Sequence, residues 1–285
     1  MTNADKVLAC VDRSHFAETI ADWGAWAARR IEAPLEFLHV ISRPTERDSD
    51  HSGTIGFNAQ EQLLNQLSDR DEQHSRSERE QGRIFLNRLR ERAGQAGTPS
   101  VDIRQRHGDL EETLAEQEPG VRLFVLGRRG ESAETTQRDL GRNVERVVRA
   151  LHKPILAVTD RFQEPRRVLI AFDGGAIMRR GIETVAASPL LRGLPIHVLM
   201  SGKPRQDGPR QLEWARGTLE QAGFEVETAI VPGDAESIIA RTVLDRGIDL
   251  LVMGAYTHSP LRSLLFGSRT SDLLRSATIP ALLLR

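Results

Sequence analysis

The stretch VLACVDRS, Val7 to Ser14, lies over VLIAFDGG, Val168 to Gly175, 161 positions further along the chain. Each is a short apolar run closed by an aspartate. Three more matches follow in the same order. LEFLHVIS, Leu35 to Ser42, pairs with PIHVLMS, Pro195 to Ser201, each carrying a His-Val pair. HGDLEETLAEQEPGVRLFVLGRRG, His107 to Gly130, parallels PGDAESIIARTVLDRGIDLLVMGAYT, Pro232 to Thr257, and ERVVRALHKPILAVT, Glu145 to Thr159, parallels SDLLRSATIPALLLR, Ser271 to Arg285. Ordered self-similarity of this kind is the mark of a duplicated unit.

Each unit reads as strands alternating with helices. The strands are rich in Val, Ile and Leu without strict alternation, which signals a parallel sheet covered on both faces. Leu212, Ala215, Leu219 and Ala222 recur at helical spacing, as do Phe85, Leu89 and Ala93. The expected fold class is therefore α/β, two tandem doubly wound Rossmann-like domains, each with a five-stranded parallel sheet. The polar segment TDRFQEPRR, Thr159 to Arg167, sets the domains at 1–160 and 166–285. The first carries an insertion at about 43–81, charged and Ser-rich, read as a solvated loop with a helix starting near Ala59 and running toward Arg92.

Composition excludes several function classes. Lys plus Arg number 39 against 40 Asp plus Glu, so a net charge of −1 gives no drive toward nucleic acid or anionic membrane. The lone Cys10 rules out an intrachain disulfide, and its apolar neighbours mark it as a buried thiol. Without a signal-peptide pattern or an apolar run of spanning length, a cytoplasmic, non-membrane protein is expected. Asp109 and Asp234 read as helix caps, and His39 and His197, taken as equivalent through their His-Val pairs, as core residues rather than metal ligands. The basic stretch Arg128, Arg129, Arg142, Arg146 and Arg149 reads as solvated or ion-paired.

In open parallel sheets ligands bind beyond the strand carboxyl ends where the winding reverses, so the residues after the first and fourth strands hold the chemistry. There the second half offers Asp173 and the loop MGAYTHSPLRSLLFGSRTSDLLR, in which Gly254 and Gly267-Ser268 bracket a phosphate cradle opening a helix. Neither a GxxxxGK[ST] loop nor a GxGxxG after a first strand is present.

These residues resemble the universal stress protein family, whose adenine-nucleotide-binding members carry a G-x2-G-x9-G-[S/T] loop after the fourth strand. Here it runs Gly254, Thr257, Gly267, Ser268, with Thr257 in place of the second glycine. The resemblance implies that Asp173 accepts from the adenine amino group and Val198 holds the base through its backbone. It further implies that Gly254 approaches ribose or phosphate beside Met253, that Gly267 and Ser268 bind phosphate oxygens, and that Thr257 and His258 lie along the loop. In the first half the matching set is Asp12, Val40, Gly127, Gly130, Gly141, Arg142 and Asn143. Ten residues separate Gly130 from Gly141, and Arg142 replaces the Ser or Thr, either pairing with a phosphate or filling its place. The second half is accordingly ranked first as the nucleotide site.

The ligand so implied is ATP or another adenine nucleotide, with or without Mg²⁺, in a regulatory stress-response protein without catalytic or protein-borne metal residues. The alternatives are a slow ATPase and a protein-docking scaffold that has lost nucleotide binding. The family further implies an unidentified protein partner, a homodimer option, and an intramolecular pseudo-dimer in which the closing strands Ile155 to Thr159 and Ala281 to Arg285 meet.

Overall fold

The structure is a computed structural model describing residues 5–41, 77–128, 142–203, 206–255 and 279–285, with 142–145 described for the backbone only. The first half runs β1 (Lys6–Cys10), α1 (Ala17–Ile31), β2 (Leu35–Ile41), α2 (77–95), β3 (Val101–His107), α3 (Leu110–Gln117), β4 (Val121–Gly127), α4 (Arg142–Ala150) and β5 (Ile155–Val158). The second runs β6 (Val168–Ala171), α5 (Ala176–Ala187), β7 (Ile196–Gly202), α6 (Gly208–Gln221), β8 (Val226–Pro232), α7 (Ala235–Arg246), β9 (Leu250–Gly254) and β10 (Ala281–Leu284).

Apolar side chains on both faces of β1, β4, β5, β6, β9 and β10 demand cover on both sides. On one face α1, α2, α5 and α6 supply it through residues such as Ile20, Leu89, Ile182 and Leu219. On the other, α3, α4 and α7 do so through Leu114, Val148 and Ile239. Asp109 accepts from the backbone N–H of Glu111 and Glu112, and Asp234 from that of Ser237, so both act as the expected helix caps. Of the stretch 43–81, residues 77–81 open α2; the helix expected from Ala59 otherwise lies outside the described residues.

Ten strands form one sheet in the order β3-β2-β1-β4-β5-β10-β9-β6-β7-β8. Every pairing within a half is parallel. The halves join through β5 and β10, antiparallel, with Leu282 opposite Leu156. The intramolecular pairing of closing strands thus forms as the family resemblance implied, and each core continues across the seam.

Arginines lock that seam. Arg30 donates to the carbonyls of Leu190 and Arg192, Arg285 to those of Arg149 and Leu151, and Arg128 to that of Ile279 at 2.8 Å. Arg128 is 8% exposed, which excludes the solvated one of its two readings, solvated or ion-paired: it follows the end of β4 and reaches across to the other half. Arg146 conforms, pairing with Glu111 at 2.9 Å.

The equivalence of His39 and His197 is a second correction. Val7 pairs with Leu35, and Val168 with Ile196, so the 161-residue offset continues into the second strands. His197 therefore matches Glu36, and His39 matches Met200. An odd shift along a strand exchanges faces. His39 packs edge-on against Phe85 of α2 and donates Nδ1–H to the Val11 carbonyl at 3.0 Å, whereas His197 lies beside Glu227 of β8 and toward Arg246 of α7 in the opposite layer. The shared His-Val pair is a coincidence of composition.

Candidate functional site

The sheet order places β6 between β9 and β7, and β1 between β4 and β2. At these strands the winding reverses, leaving a crevice at their carboxyl ends. Asp173 sits one residue past Phe172, whose N–H bonds the Leu199 carbonyl at 2.9 Å. Its Oδ1 accepts the N–H of Gly175 at 2.8 Å, an Asx turn that fixes the carboxylate where α5 begins. Asp12 does the same in the first half, accepting from the N–H and hydroxyl of Ser14.

The second mouth is tighter than the first. Gly174 adopts φ +72°, and a Cβ there would lie 1.8 Å from Oε1 of Gln211 on α6. The carboxamide nitrogen of Gln211 donates to Asp207, which fixes its orientation and leaves that oxygen, buried, over Gly174. Next to it Phe172 stacks on Trp214, and Arg179 lies over the Trp214 ring at 4.4 Å. The 161 offset places Arg13 at the position of Gly174, and laying the buried Leu86, Leu89 and Ala93 of α2 on Leu212, Ala215 and Leu219 of α6 places Phe85 at that of Gln211, so the first mouth lacks this glycine-amide fit.

Gly254 closes β9 on the adjacent strand. A Cβ on it would come within 3.2 Å of the Met178 sulfur, so the first turn of α5 presses directly on its backbone. Met253 is 6% exposed and packs into the core layer of α7. Asp173, Gly254 and the start of α5 therefore converge, while Met253 is buried on the opposite face of the sheet. Gly127 holds the matching place at the end of β4, paired with Val158, and Val40 is half-buried beside Arg106.

Val198 does not join this group. It is fully buried in mid-strand, paired with Ile170 and Thr228, and by register it matches Phe37. The counterpart of Val40 at the mouth is Ser201, opposite Val231. Carrying the offset of 161 through the second strand would have found Ser201 from sequence alone; Gln211 and Trp214 carried no such signal. Thr257, His258, Gly267, Ser268, Gly130 and Gly141 lie outside the described residues. Arg142 and Asn143 open α4, their backbone alone being described.

Burial, and secondarily the nearby Glu36 carboxylate, push the Cys10 thiol far above its ordinary range, so it stays protonated in the core. Among the described residues no group of three or more His, Cys, Asp or Glu could hold a metal ion, and no helix is long and apolar enough to cross a membrane.

The family model described as universal stress protein family matches residues 3–159 and again 164–285. The chain is 35% identical over 284 residues to the universal stress protein Slr1230 of Synechocystis, covering 98% of this chain and 99% of that one. It is 27% identical over 86 residues to the universal stress protein MJ0577 of Methanocaldococcus jannaschii, covering 30% of this chain and 53% of that protein. Among solved structures, a universal stress protein from Archaeoglobus fulgidus superimposes with a TM-score of 0.68 at 14% identity, over 99% of this chain and 96% of that one. The duplication read from Val7 and Val168 is thus a duplication of a known unit, and the chain belongs to the universal stress protein family as a tandem two-domain member.

Proposed function

We propose that the protein binds ATP or a related adenine nucleotide at the strand mouths of its second half, and that binding rather than turnover is its activity. The observation that carries this reading is the convergence of Asp173 and Gly254 at the winding reversal, with α5 starting between them. The carboxylate offers an acceptor to the exocyclic amine of adenine. The glycine backbone at Gly174 and Gly254 lets the Gln211 carboxamide and the first turn of α5 close on the strand ends, which shapes the mouth around Asp173. The base edge meets the backbone of Ser201 rather than that of Val198, because only Ser201 reaches the mouth. Thr257, His258, Gly267 and Ser268 then supply the phosphate end, with any Mg²⁺ carried by the phosphates themselves. The first half, with Arg13 and Arg142 at matching positions, is the weaker site. The same reading assigns residues 1–160 and 166–285 to the two domains.

Isothermal titration of the full chain with ATP and AMP tests this. Binding below about 1 mM is expected. Asp173→Ala should weaken it about tenfold, the size of a hydrogen bond to a charged acceptor, while Asp12→Ala leaves it unchanged. Absence of binding at millimolar nucleotide, or equal affinity in wild type and Asp173→Ala, overturns the proposal. Phosphate release should stay at background.

A further inference from the structure

A cleft of about 320 Å³ opens at the seam between the halves, on the face covered by α1 and α5. Its walls are Ile31 and Leu123 of the first half and Val185, Leu191, Leu282 and Leu284 of the second. Two of its polar groups are already engaged: the Thr184 hydroxyl donates to the Arg180 carbonyl at 2.9 Å, and Ser188 Oγ accepts from the Leu190 N–H at 3.3 Å. Arg122 is exposed at the rim, its Nη1 donating to the Ile31 carbonyl at 3.2 Å. None of the residues assigned to nucleotide lines this space.

The internal duplication shows what the cleft would accept. The offset that lays β1 on β6 lays Trp23 on Thr184 and Trp26 on Ala187. Burial agrees with this alignment, since Ala17, Ala21 and Gly24 match Met178, Ile182 and Val185, all buried. On the first-half side the equivalent space is filled: Trp23 meets Trp26 edge-on at 5.4 Å and Phe162 at 5.0 Å, and its indole N–H donates to the Arg161 carbonyl. Phe162 and Arg161 belong to the connection between halves, which passes over Trp23. On the other side a threonine and an alanine stand where two indoles would, and among the described residues no segment covers them. The cleft is the unfilled twin of an aromatic plug.

A dry cavity of about 150 Å³ lined by aliphatic side chains is enough to hold benzene. Ligand sites begin near about 300 Å³. We propose that this cleft binds a small aromatic monoanion of about two fused rings, its rings over Leu282 and Leu284 and its anionic group at Arg122. The ring system takes the place that Trp23 and Trp26 fill on the other side. Burial of its apolar area supplies most of the affinity, and the guanidinium sets its direction.

Isothermal titration of the full chain with indole-3-acetate and with neutral 3-methylindole tests the assignment. Indole-3-acetate should bind with a Kd below about 1 mM. Arg122→Gln should weaken indole-3-acetate about tenfold and leave 3-methylindole unchanged. Ala187→Trp, which copies the first half's plug, should abolish binding of both while thermal unfolding stays at or above the wild-type temperature; Thr184→Trp serves if that variant misfolds. Saturating ATP should leave the affinity unchanged. No binding by the wild type, full binding by both plugged variants, or displacement by ATP each overturns the proposal, the last by locating the ligand in the nucleotide crevice.

Discussion

Gly174 is where the second mouth departs most from the first, and its effect is local enough to isolate. A side chain there would face two costs: a left-handed backbone worth about 1–2 kcal/mol, and collision with the Gln211 carboxamide. Gly174→Ala should destabilise the protein by about 2–3 kcal/mol in urea unfolding. Gln211→Ala in the same background should recover the collision part and leave the backbone part. An equal loss in single and double variants would show that Gln211 does not press on this loop. The strand-ending Asp173 was legible from sequence because it recurs at Asp12. The Gln211 contact was not, since it depends on how α6 lies over the turn, and α2 brings Phe85 to the same place.

At the level of elements, the register of β7 shows how a correct element can carry a wrong residue assignment. The strand itself and its apolar run were evident, yet the His-Val pair suggested an alignment three residues out of step with the ladder. That shift moves Val198 from the mouth to mid-strand and His197 to the opposite face. There, burial first and Arg246 second hold the His197 imidazole below its ordinary value, with Glu227 opposing them. A histidine whose folded pKa is depressed favours the native state above the unfolded value of about 6.5 and withdraws that support as pH falls through it. Stability should therefore drop between pH 8 and pH 5.5, and His197→Gln should flatten part of that drop. Identical pH slopes in both proteins would exclude His197 as a contributor. A parallel exchange occurs between α1 and α2: Glu18 pairs with Arg88 there, where α5 and α6 instead set Arg179 over Trp214. The same helix contact is met by different chemistry in each copy.

Across the whole molecule, the seam makes two homologous units one body. Leu156 and Leu282 face each other at its centre, 0% and 3% exposed, and both core layers run through it. Calorimetry should show a single cooperative transition. Leu282→Asp, which buries a charge without a partner, should cost more than about 3 kcal/mol and loosen amide protection in β5 as well as β10. Two separated transitions in the wild type, or an effect confined to the second half, would count against a shared core. The chain by itself determined the duplication, the strand-and-helix alternation, the caps at Asp109 and Asp234, the buried thiol of Cys10 and the aspartates at the first strand ends. All of these are written in short-range patterns of apolar spacing and turn chemistry. Only the tertiary structure decided the register of β7, the inward turn of Arg128, the Gln211 contact on Gly174 and the cleft opposite the Trp23 plug. Each of those depends on which face of one element meets another far away in sequence, and local periodicity does not encode that choice.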